Sequence, residues 1–515
     1  MRYLHVMAFC VAVFLAAALN FAVQPMIGKI MLPQAGGTPS VWLVTLAFFQ
    51  CALLAGYTLA YGLARLPVRL HVLLYTALLL AAFLTLPPGF AVTKDSRPDD
   101  ILSILAALTI GTGLPFLVLA AANITLQRLY AHSRQADRHD PHFLYAASNL
   151  GSFLGLFSYP LVLEVFLPLE LQQLGWTAVF AILVIVFVAL LLFARHDTAP
   201  LAMPSAAGSM PNTWWLIPLL TSAGLVSFSG YITTDIAAIP LLWVLILGLY
   251  LLSFILAFSQ RCARLNGRAK NWGYVFCATA YTFLLFRLAG LPALTLHVVL
   301  FFLISWGAHA RLAELRPAVG KMPHYYLAIA AGGALGGSVI AFAAPLLFPI
   351  SIEYALVICG LLFISTHSTT PARLSNAWPL LLCLTLVVLF YISSRLLHGP
   401  VWVSASLLAL AVACSLFCMT RPRVFLGAGI SLVIITQLFL PLAELTAAER
   451  NFFGVKTVEN KTFGGSDYRV LLHGTTMHGG INLSNPGNPL FYYAKAGPLG
   501  DLWHTIKPTN TGVLG

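Results

Sequence analysis

The sequence predicts an all-α polytopic membrane protein of two parallel six-helix halves plus about three extra helices, followed by a short β-rich stub of an α/β Rossmann-like domain. Hydrophobic residues make up 59% of the chain and charged residues 9%, which leaves too little polar surface for a soluble globule. Apolar runs of about twenty residues recur between residues 5 and 441, and each can cross a bilayer as a helix. Only residues 450–515 form a long polar stretch.

The apolar runs fall into two sets of six. The first set lies within residues 1–194, and a polar linker rich in Ala, Ser and Pro, residues 195–213, separates it from the second set within 214–366. Further apolar runs within 377–441 precede the polar tail of 450–515. The predicted helices cover residues 5–22, 40–63, 69–87, 101–122, 143–163, 174–194, 214–232, 238–258, 272–288, 291–308, 325–347 and 351–366, then 377–394, 400–419 and 424–441.

The two sets of six helices carry matching patterns, which predict an internal repeat. A Pro and a Trp three residues later open the second helix of each set, at residues 39–42 and 240–243. The fifth helices share a Tyr and two glycines at one spacing, namely Tyr145, Gly151 and Gly155 in the first set and Tyr326, Gly332 and Gly336 in the second. Glycines four residues apart let helices approach closely in lipid. Two parallel halves of six helices are the architecture of major-facilitator transporters.

The basic residues predict the topology of the chain rather than a nucleic-acid surface. The net charge is +12, but Lys and Arg are spread among the short connections instead of being gathered on one face. Placing most of them inside gives a multi-pass protein of the bacterial inner membrane with a cytoplasmic N-terminus, and excludes nucleic acid as a partner. An odd number of spans then exports the tail, unless one of the last three runs is re-entrant; the sequence leaves both open.

No metal site is predicted. The eight cysteines lie in or beside apolar runs with no CxxC pair, so they are interpreted as small core residues. Cys414 and Cys418 share a helix face, for which packing is favoured over metal binding. The loop of residues 128–142 holds several His and Asp residues without metal-ligand spacing, and is interpreted as a solvated loop.

Polar residues near the membrane are candidates for a site because ionisable and amide groups are costly at bilayer depth. The candidates are Gln24 and Lys29 after the first predicted helix, Asn149 in the fifth, and Asp235 between the seventh and eighth. Asp235 is the foremost of them. Its carboxylate is either a binding site for a cationic amine between the halves or a cap of the eighth helix, and both interpretations remain open.

The tail is predicted to form a small β unit. Residues 455–458 and 468–472 are strand-like, and the Gly-Gly-Ser-Asp of 464–467 is a turn between them. His473 and His478 bracket a loop for which substrate binding or a structural role is favoured over a metal site. Tyr492 and Tyr493 either stack on a ligand or pack the hairpin. The final residues, 511–515, are typical of a strand entering the glycine turn of a nucleotide-binding domain.

Several stretches together resemble the membrane-embedded, spermidine-synthase-like proteins, in which a major-facilitator-like helical region is fused to an aminopropyltransferase-like domain. The resemblance spans nearly the whole chain. It departs from that family's pattern at Ile481, where a Gln is usual, and at Ala310 and Arg311, where a Gly and a Glu are usual. The matching stretches are residues 24–29, 36–42, 143–152, 233–243, 450–455, 472–479, 492–493 and 497–500.

This resemblance implies an activity that this chain does not complete. The complete form is expected to be a transferase of polyamine biosynthesis, using decarboxylated S-adenosylmethionine as the donor. The resemblance implies that the catalytic carboxylates and donor contacts lie beyond Gly515, so no catalytic residue and no cofactor are assigned to a C-terminally truncated chain. His473, His478, Tyr492 and Tyr493 would contact substrate. The alternative is a transporter of amines or other small molecules with a vestigial or regulatory tail, and a structural scaffold also remains open. Expected partners are the lipid bilayer and a polyamine or similar small cationic amine.

Overall fold

The computed structural model describes most of the helical region and most of the tail. The described residues are 2–36, 39–90, 101–131, 142–193, 211–233, 242–259, 291–317, 321–365, 445–451, 454–474 and 476–506, with isolated residues between 262 and 266 and between 382 and 413. Within them, seven helices are long and apolar enough to cross a membrane, and two shorter apolar helices accompany them. The protein is therefore a multi-pass membrane protein.

The first half begins with a helix much longer than the sequence predicted. The helix runs from Arg2 to Ala35 through Pro25 and Pro33, whereas the prediction ended it at residue 22. A proline is tolerated inside a membrane helix because neighbouring groups satisfy the backbone carbonyls that it leaves free, so Pro25 and Pro33 do not end the helix. The helices are α1 (Arg2–Ala35), α2 (Pro39–Leu63), α3 (Val68–Leu84), α4 (Ile101–Leu108), α5 (Leu114–Ala131), α6 (His142–Ser158), α7 (Glu164–Phe166) and α8 (Leu169–Phe193).

The second half repeats this arrangement. A π-helical turn, Tyr159–Leu163, joins α6 to α7, and a π-helical turn, Val339–Ala343, interrupts the corresponding helix of the second half. Both helices then end in an extended residue followed by proline: Leu167 has φ −119° and ψ 132°, and Phe348 has φ −121° and ψ 127°. The helices of this half are α9 (Thr213–Tyr231), α10 (Leu242–Phe258), α11 (Leu291–Glu314), α12 (Met322–Ser338), α13 (Ala344–Leu347) and α14 (Glu353–Ser365).

The glycines of the repeat set the closest helix contacts in each half. A Cβ on Gly151 or Gly155 of α6 would collide with the backbone of α1, at Phe14 and Ala18. A Cβ on Gly332 or Gly336 of α12 would collide in the same way with the backbone of α9, at Trp215 and Leu219. The first and fifth helices of each half therefore touch backbone to backbone, because glycine alone leaves room for that approach.

The tail is a five-stranded antiparallel sheet in sequential order with a short helix after it. Gly464 and Gly465, at φ 57° and 79°, make the tight turn between the second and third strands, where the sequence predicted a turn. The sheet begins earlier and continues further than the predicted pair of strands. Its elements are β1 (Leu445–Asn451), β2 (Gly454–Phe463), β3 (Ser466–His473), β4 (Thr476–Asn482), β5 (Asn485–Phe491) and α15 (Pro498–Ile506).

An ion pair holds the sheet to the helical bundle. Arg450 of β1 donates to both carboxylate oxygens of Glu353 at 3.1 and 2.6 Å, and the two side chains are each 8% exposed. The same guanidinium reaches the carbonyl oxygens of Phe348 and Ile350 at 3.5 and 3.3 Å. It thus closes the connection between α13 and α14.

The sheet lies at the end of the bundle opposite to Arg65 and Arg128. His324, near the start of α12, contacts Tyr61 beside Arg65, whereas Phe348 follows the other end of that helical segment. The segment from residue 322 to residue 347 is about 39 Å long at the rise of a helix.

The predicted fold class is confirmed: the chain is mostly helical, with a small antiparallel sheet near its C-terminal end. The predicted helices at 272–288 and 424–441 and the predicted strand at 511–515 lie outside the described residues. Only isolated residues of the predicted helices at 377–394 and 400–419 are described. The boundaries assigned to the halves, linker and tail stay predictions.

Candidate functional site

The two halves meet along a contact between α2 and α12 that we call the α2–α12 seam. Near its middle, the Gln50 carboxamide lies against the backbone at Gly337, where a Cβ would occupy the same space. Gln50 Oε1 is buried and has no donor among the described residues. One residue further along each helix, Cys51 Sγ lies 3.4 Å from Ser338 Oγ. The seam therefore holds polar side chains midway along an apolar membrane helix, and polar groups in such helices are candidates for a site because they are costly in lipid.

Beside one end of the seam, near the start of α2, two tryptophans from corresponding positions of the repeat join α2 to α10. Trp42 and Trp243 have ring centroids 6.0 Å apart, and both side chains are buried. Gly28 of α1 makes room for them, since a Cβ there would lie 2.5 Å from the Trp42 ring. The Pro-x-x-Trp pattern that suggested a repeat thus marks a contact between the two halves.

A hydrogen-bonded relay closes the other end. Arg65 Nη2 donates to Tyr61 Oη at 3.1 Å, and Tyr61 Oη lies 2.9 Å from His324 Nε2. The guanidinium also stacks on the Tyr61 ring at 4.6 Å. Because Tyr61 Oη already accepts from Arg65, its own proton is free to go to His324. A single neutral hydrogen bond of this kind contributes only about 1 kcal/mol, so this end opens at small cost.

The internal repeat predicts a second contact between the halves, in which α6 and α10 correspond to α12 and α2 of the seam. Phe157 of α6 lies against Gly248 of α10, where a Cβ would collide with the ring. Leu43 of α2 also packs on Gly230 of α9. Flat contacts between small residues and rings, with few hydrogen bonds, allow one set of helices to move against the other.

Of the four membrane residues predicted from the sequence, the three that the structure describes, Gln24, Lys29 and Asn149, make separate contacts. Gln24 is buried and donates within α1 to Asn20 O at 3.3 Å. Lys29 pairs with Glu164 at 3.1 Å, with both side chains about one-third exposed at 33% and 30%. Asn149 is exposed on α6, and Asp235 lies outside the described residues. Their roles stay predictions, and their positions differ in that Gln24 and Lys29 are part of α1.

The four residues predicted in the tail do lie together. The rings of His473 and His478 have centroids 5.9 Å apart, and Tyr492 meets His478 edge-on at 5.6 Å. Tyr493 covers Gly479, where a Cβ would lie 3.0 Å from its ring. Tyr492 and Tyr493 are 61% and 47% exposed. The cluster could stack a planar ligand. Within the described residues no three His, Cys, Asp or Glu side chains are placed to hold a metal ion.

Sequence reasoning missed the residues that form the seam. Gln50, Cys51 and Tyr61 sit in an apolar helix without any motif, and their partners are some 260 to 290 residues away. The one available signal was Tyr61 and Arg65 at a spacing of four, which places them on one helix face.

No protein-family profile matches this sequence, and no curated protein matches it. Among solved structures, the chain is similar to a peptide transporter POT in complex with alafosfalin, at 15% identity and a TM-score of 0.45, covering 70% of this chain and 92% of that one. It is also similar to the inward-open xylose transporter XylE from E. coli, at 13% identity and a TM-score of 0.40, covering 79% and 94%. A third similar structure is a bacterial homolog of the human lysosomal transporter Spinster, in an inward-facing and occupied conformation. Its sequence identity is 12% and its TM-score 0.37, and the match covers 85% of this chain and 95% of that one.

These findings correct two expectations. The resemblance to the fused spermidine-synthase-like family is wrong, since the similar structures are transporters and none of the three is an aminopropyltransferase. The expected transferase of polyamine biosynthesis is wrong for the same reason. Short motifs scattered over an apolar chain are weak evidence for a family, because glycine pairs and Pro-x-x-Trp patterns also serve helix packing. The chain is a multi-pass, mostly helical membrane protein with a small antiparallel sheet.

Proposed function

We propose that this protein carries a small molecule across the membrane by opening the α2–α12 seam alternately at its two ends. The observation that supports the proposal most is the seam itself. A tryptophan pair joins α2 to α10 beside one end, a Tyr–His hydrogen bond closes the other, and Gln50, Cys51 and Ser338 lie between them. From Trp42 to Tyr61 the helix rises about 28 Å, close to the thickness of the bilayer core.

The repeat also supports alternating movement. The first and fifth helices of each half form a tight, glycine-lined pair, whereas contacts between the halves involve rings on glycines and isolated polar groups. Each half is therefore a firmer unit than the junction between them. Two firm units with a yielding junction can rock about a site at the junction, as in carriers built from repeats.

The substrate class we propose is a small cationic amine. Support comes from Asp235 in the sequence, whose carboxylate would neutralise an ammonium group at the junction of the halves. We further propose that the membrane is a bacterial inner membrane and that the basic end, with Arg65 and Arg128, is cytoplasmic. The sheet would then face the opposite side.

Crosslinking the seam tests the mechanism. In proteoliposomes, Ser338→Cys places a second thiol beside the native Cys51, and oxidation would lock α2 to α12. With labelled putrescine as the probe, we expect oxidation to reduce uptake at least about tenfold and a reductant to restore it. The parent chain, with Ser338, should show no such response.

Two results would count against the proposal in different ways. Uptake that persists in the crosslinked protein contradicts movement at the seam. If the parent chain takes up no putrescine, the amine class is wrong. Asp235→Asn should lower uptake at least about tenfold, with Glu170→Gln as a control on an exposed carboxylate; equal uptake by both variants removes Asp235 as the cation site.

A further inference from the structure

His309 of α11 is a buried histidine whose hydrogen bonds assign its protons. Its side chain has no exposed surface. Ser253 of α10 donates its hydroxyl proton to Tyr250 O at 2.7 Å, and Ser253 Oγ lies 2.8 Å from His309 Nδ1. We assign the single hydroxyl proton to the shorter contact, the one with Tyr250 O, which makes Ser253 Oγ the acceptor and places the ring proton of His309 on Nδ1.

It follows that the other ring nitrogen, Nε2, carries the lone pair in the neutral side chain. Nε2 is buried and has no partner among the described residues. One turn earlier on α11, Ser305 Oγ is also buried and without a described partner. Leaving such an atom unpaired costs about 1 to 3 kcal/mol, which favours an occupant for it. Nε2 is the atom at which a proton would bind.

No described carboxylate is near enough to His309 to compete for the proton. The other buried imidazole of α11, His297, lies twelve residues earlier, and its Nδ1 is 3.0 Å from Tyr354 Oη. Arg311 and Glu314 pair with each other at 3.1 Å towards the exposed end of α11, and Glu353 is held by Arg450 at the far end of the bundle. The ring itself is enclosed by Phe254 at 3.8 Å and by the edge of Tyr250 at 5.0 Å. Besides Glu353, the titratable groups on these helices are Tyr231 on α9, Tyr250 on α10, His324, Tyr325 and Tyr326 on α12, and Tyr354 and Cys359 on α14.

The helix that holds His309 in place also forms a junction between the halves. Ser253 lies on α10 five residues from Gly248, and Gly248 is packed under Phe157 of the first half. A proton on Nε2 makes the ring cationic and strengthens the Nδ1–H bond to Ser253. The same charge, unpaired at bilayer depth, favours an arrangement in which α10 and α11 let water or a polar group reach it.

We propose that His309 Nε2 is the proton-binding site of this carrier, and that its protonation shifts the junction between the halves through Ser253 and α10. This deepens the proposed function and rests on it, since the proton would be the coupled ion of the transport cycle. The balance is simple: an aqueous proton adds to the Nε2 lone pair on one side of the membrane and leaves on the other. No bond within the protein is made or broken apart from hydrogen bonds.

The test measures the seam and needs no substrate. All variants carry Ser338→Cys, and the yield of its crosslink to Cys51 is followed in proteoliposomes between about pH 8 and about pH 5. The pH dependence of thiol oxidation itself is the same in every variant and therefore cancels in the comparison. We expect the pH-dependent change in crosslink yield to be about three times as large in the otherwise native chain as in the His309→Asn variant. The Asn amide can still donate to Ser253, but it cannot take up a proton. His297→Asn, on another buried histidine of α11, is the matched control and should keep the native response.

Ser253→Ala provides a second variant if His309→Asn does not assemble. It removes the acceptor that favours the cationic ring, so we expect the midpoint of the pH response to move to lower pH. A native pH response in His309→Asn, or an unmoved midpoint in Ser253→Ala, overturns the proposal. Putrescine uptake by the native chain is measured separately. If the chain takes up putrescine but the crosslink does not depend on His309, the proposed function stands and the proton site is wrong. If the crosslink depends on His309 but no putrescine is taken up, the proton site stands and the amine class is wrong.

Discussion

At the scale of single residues, the Tyr61–His324 hydrogen bond decides how firmly the basic end of the α2–α12 seam is closed. The bond joins residues from different halves over 2.9 Å, and Arg65 orients the phenol. Neither helix buries a charged pair at this point, so the closure depends on one hydroxyl proton. Tyr61 and His324 were absent from the sequence-based candidates because an isolated Tyr in a membrane helix has no distinguishing pattern.

Removing that hydroxyl should weaken the closure measurably. Tyr61→Phe loses about 1 kcal/mol, which corresponds to a change of about fivefold in the closed population. We expect the Cys51 crosslink to Ser338→Cys to form with about fivefold lower yield. Thr58→Ala is the control, because the Thr58 hydroxyl donates to Leu54 O of its own helix at 2.8 Å. Equal yields in Tyr61→Phe and Thr58→Ala would show that the phenol does not hold the seam.

At the scale of elements, the π-turns and glycine pairs show that the two halves are built alike. Tyr159–Leu163 and Val339–Ala343 interrupt corresponding helices, and each is followed by an extended residue and a proline. The sequence predicted the glycine spacing but not the π-turns, because no residue type is reserved for the insertion of one backbone residue. The partner helix was also not predictable from spacing alone.

The glycine contacts predict a sharp difference between neighbouring positions. Gly336→Ala puts a methyl group into the backbone of Leu219, whereas Gly333→Ala meets nothing within 4 Å. We expect Gly336→Ala to destabilise the protein by about 1 to 3 kcal/mol and to lower its melting temperature in detergent, and Gly333→Ala to have little effect. Similar melting temperatures for the two variants would mean that α9 and α12 are not in backbone contact.

The attachment of the sheet is a second property at this scale. Arg450 and Glu353 are both largely excluded from solvent, so removing one partner leaves a charge without compensation. We expect Glu353→Leu to destabilise the full chain by about 3 to 5 kcal/mol, and the double variant Glu353→Leu with Arg450→Met to recover most of the loss. Thermal unfolding of the four proteins measures this. If the double variant were as unstable as Glu353→Leu alone, the loss of stability would not come from the unpaired charge of Arg450.

At the scale of the whole molecule, the sheet lies at the end of the helical bundle opposite to Arg65 and Arg128. This bears on the choice that the sequence left open between a re-entrant run and an exported tail. The deciding contact is Arg450 with Glu353 and with the carbonyls of Phe348 and Ile350, at the end of the bundle remote from Tyr61 and Arg65.

Labelling from one side of the membrane checks this arrangement. Ser484→Cys introduces a thiol on an exposed turn of the sheet. In intact bacterial cells, we expect a membrane-impermeant maleimide to label Ser484→Cys strongly and Gly62→Cys, at the basic end, only after the cells are opened. The parent chain gives the background from native cysteines. Labelling of Gly62→Cys in intact cells, with Ser484→Cys protected, would reverse the proposed orientation.

The sequence by itself determined that this is a polytopic helical membrane protein with a small β tail, because hydropathy and run length report directly on solvation by lipid. It also predicted close helix approach at the paired glycines of the repeat, since that approach needs small residues. The tertiary structure alone decided that Gln50, Cys51 and Ser338 share a seam, that His309 Nε2 is buried without a partner among the described residues, and that Arg450 anchors the sheet. Each of these depends on residues far apart in the chain meeting in one place, and local patterns carry no record of such pairings.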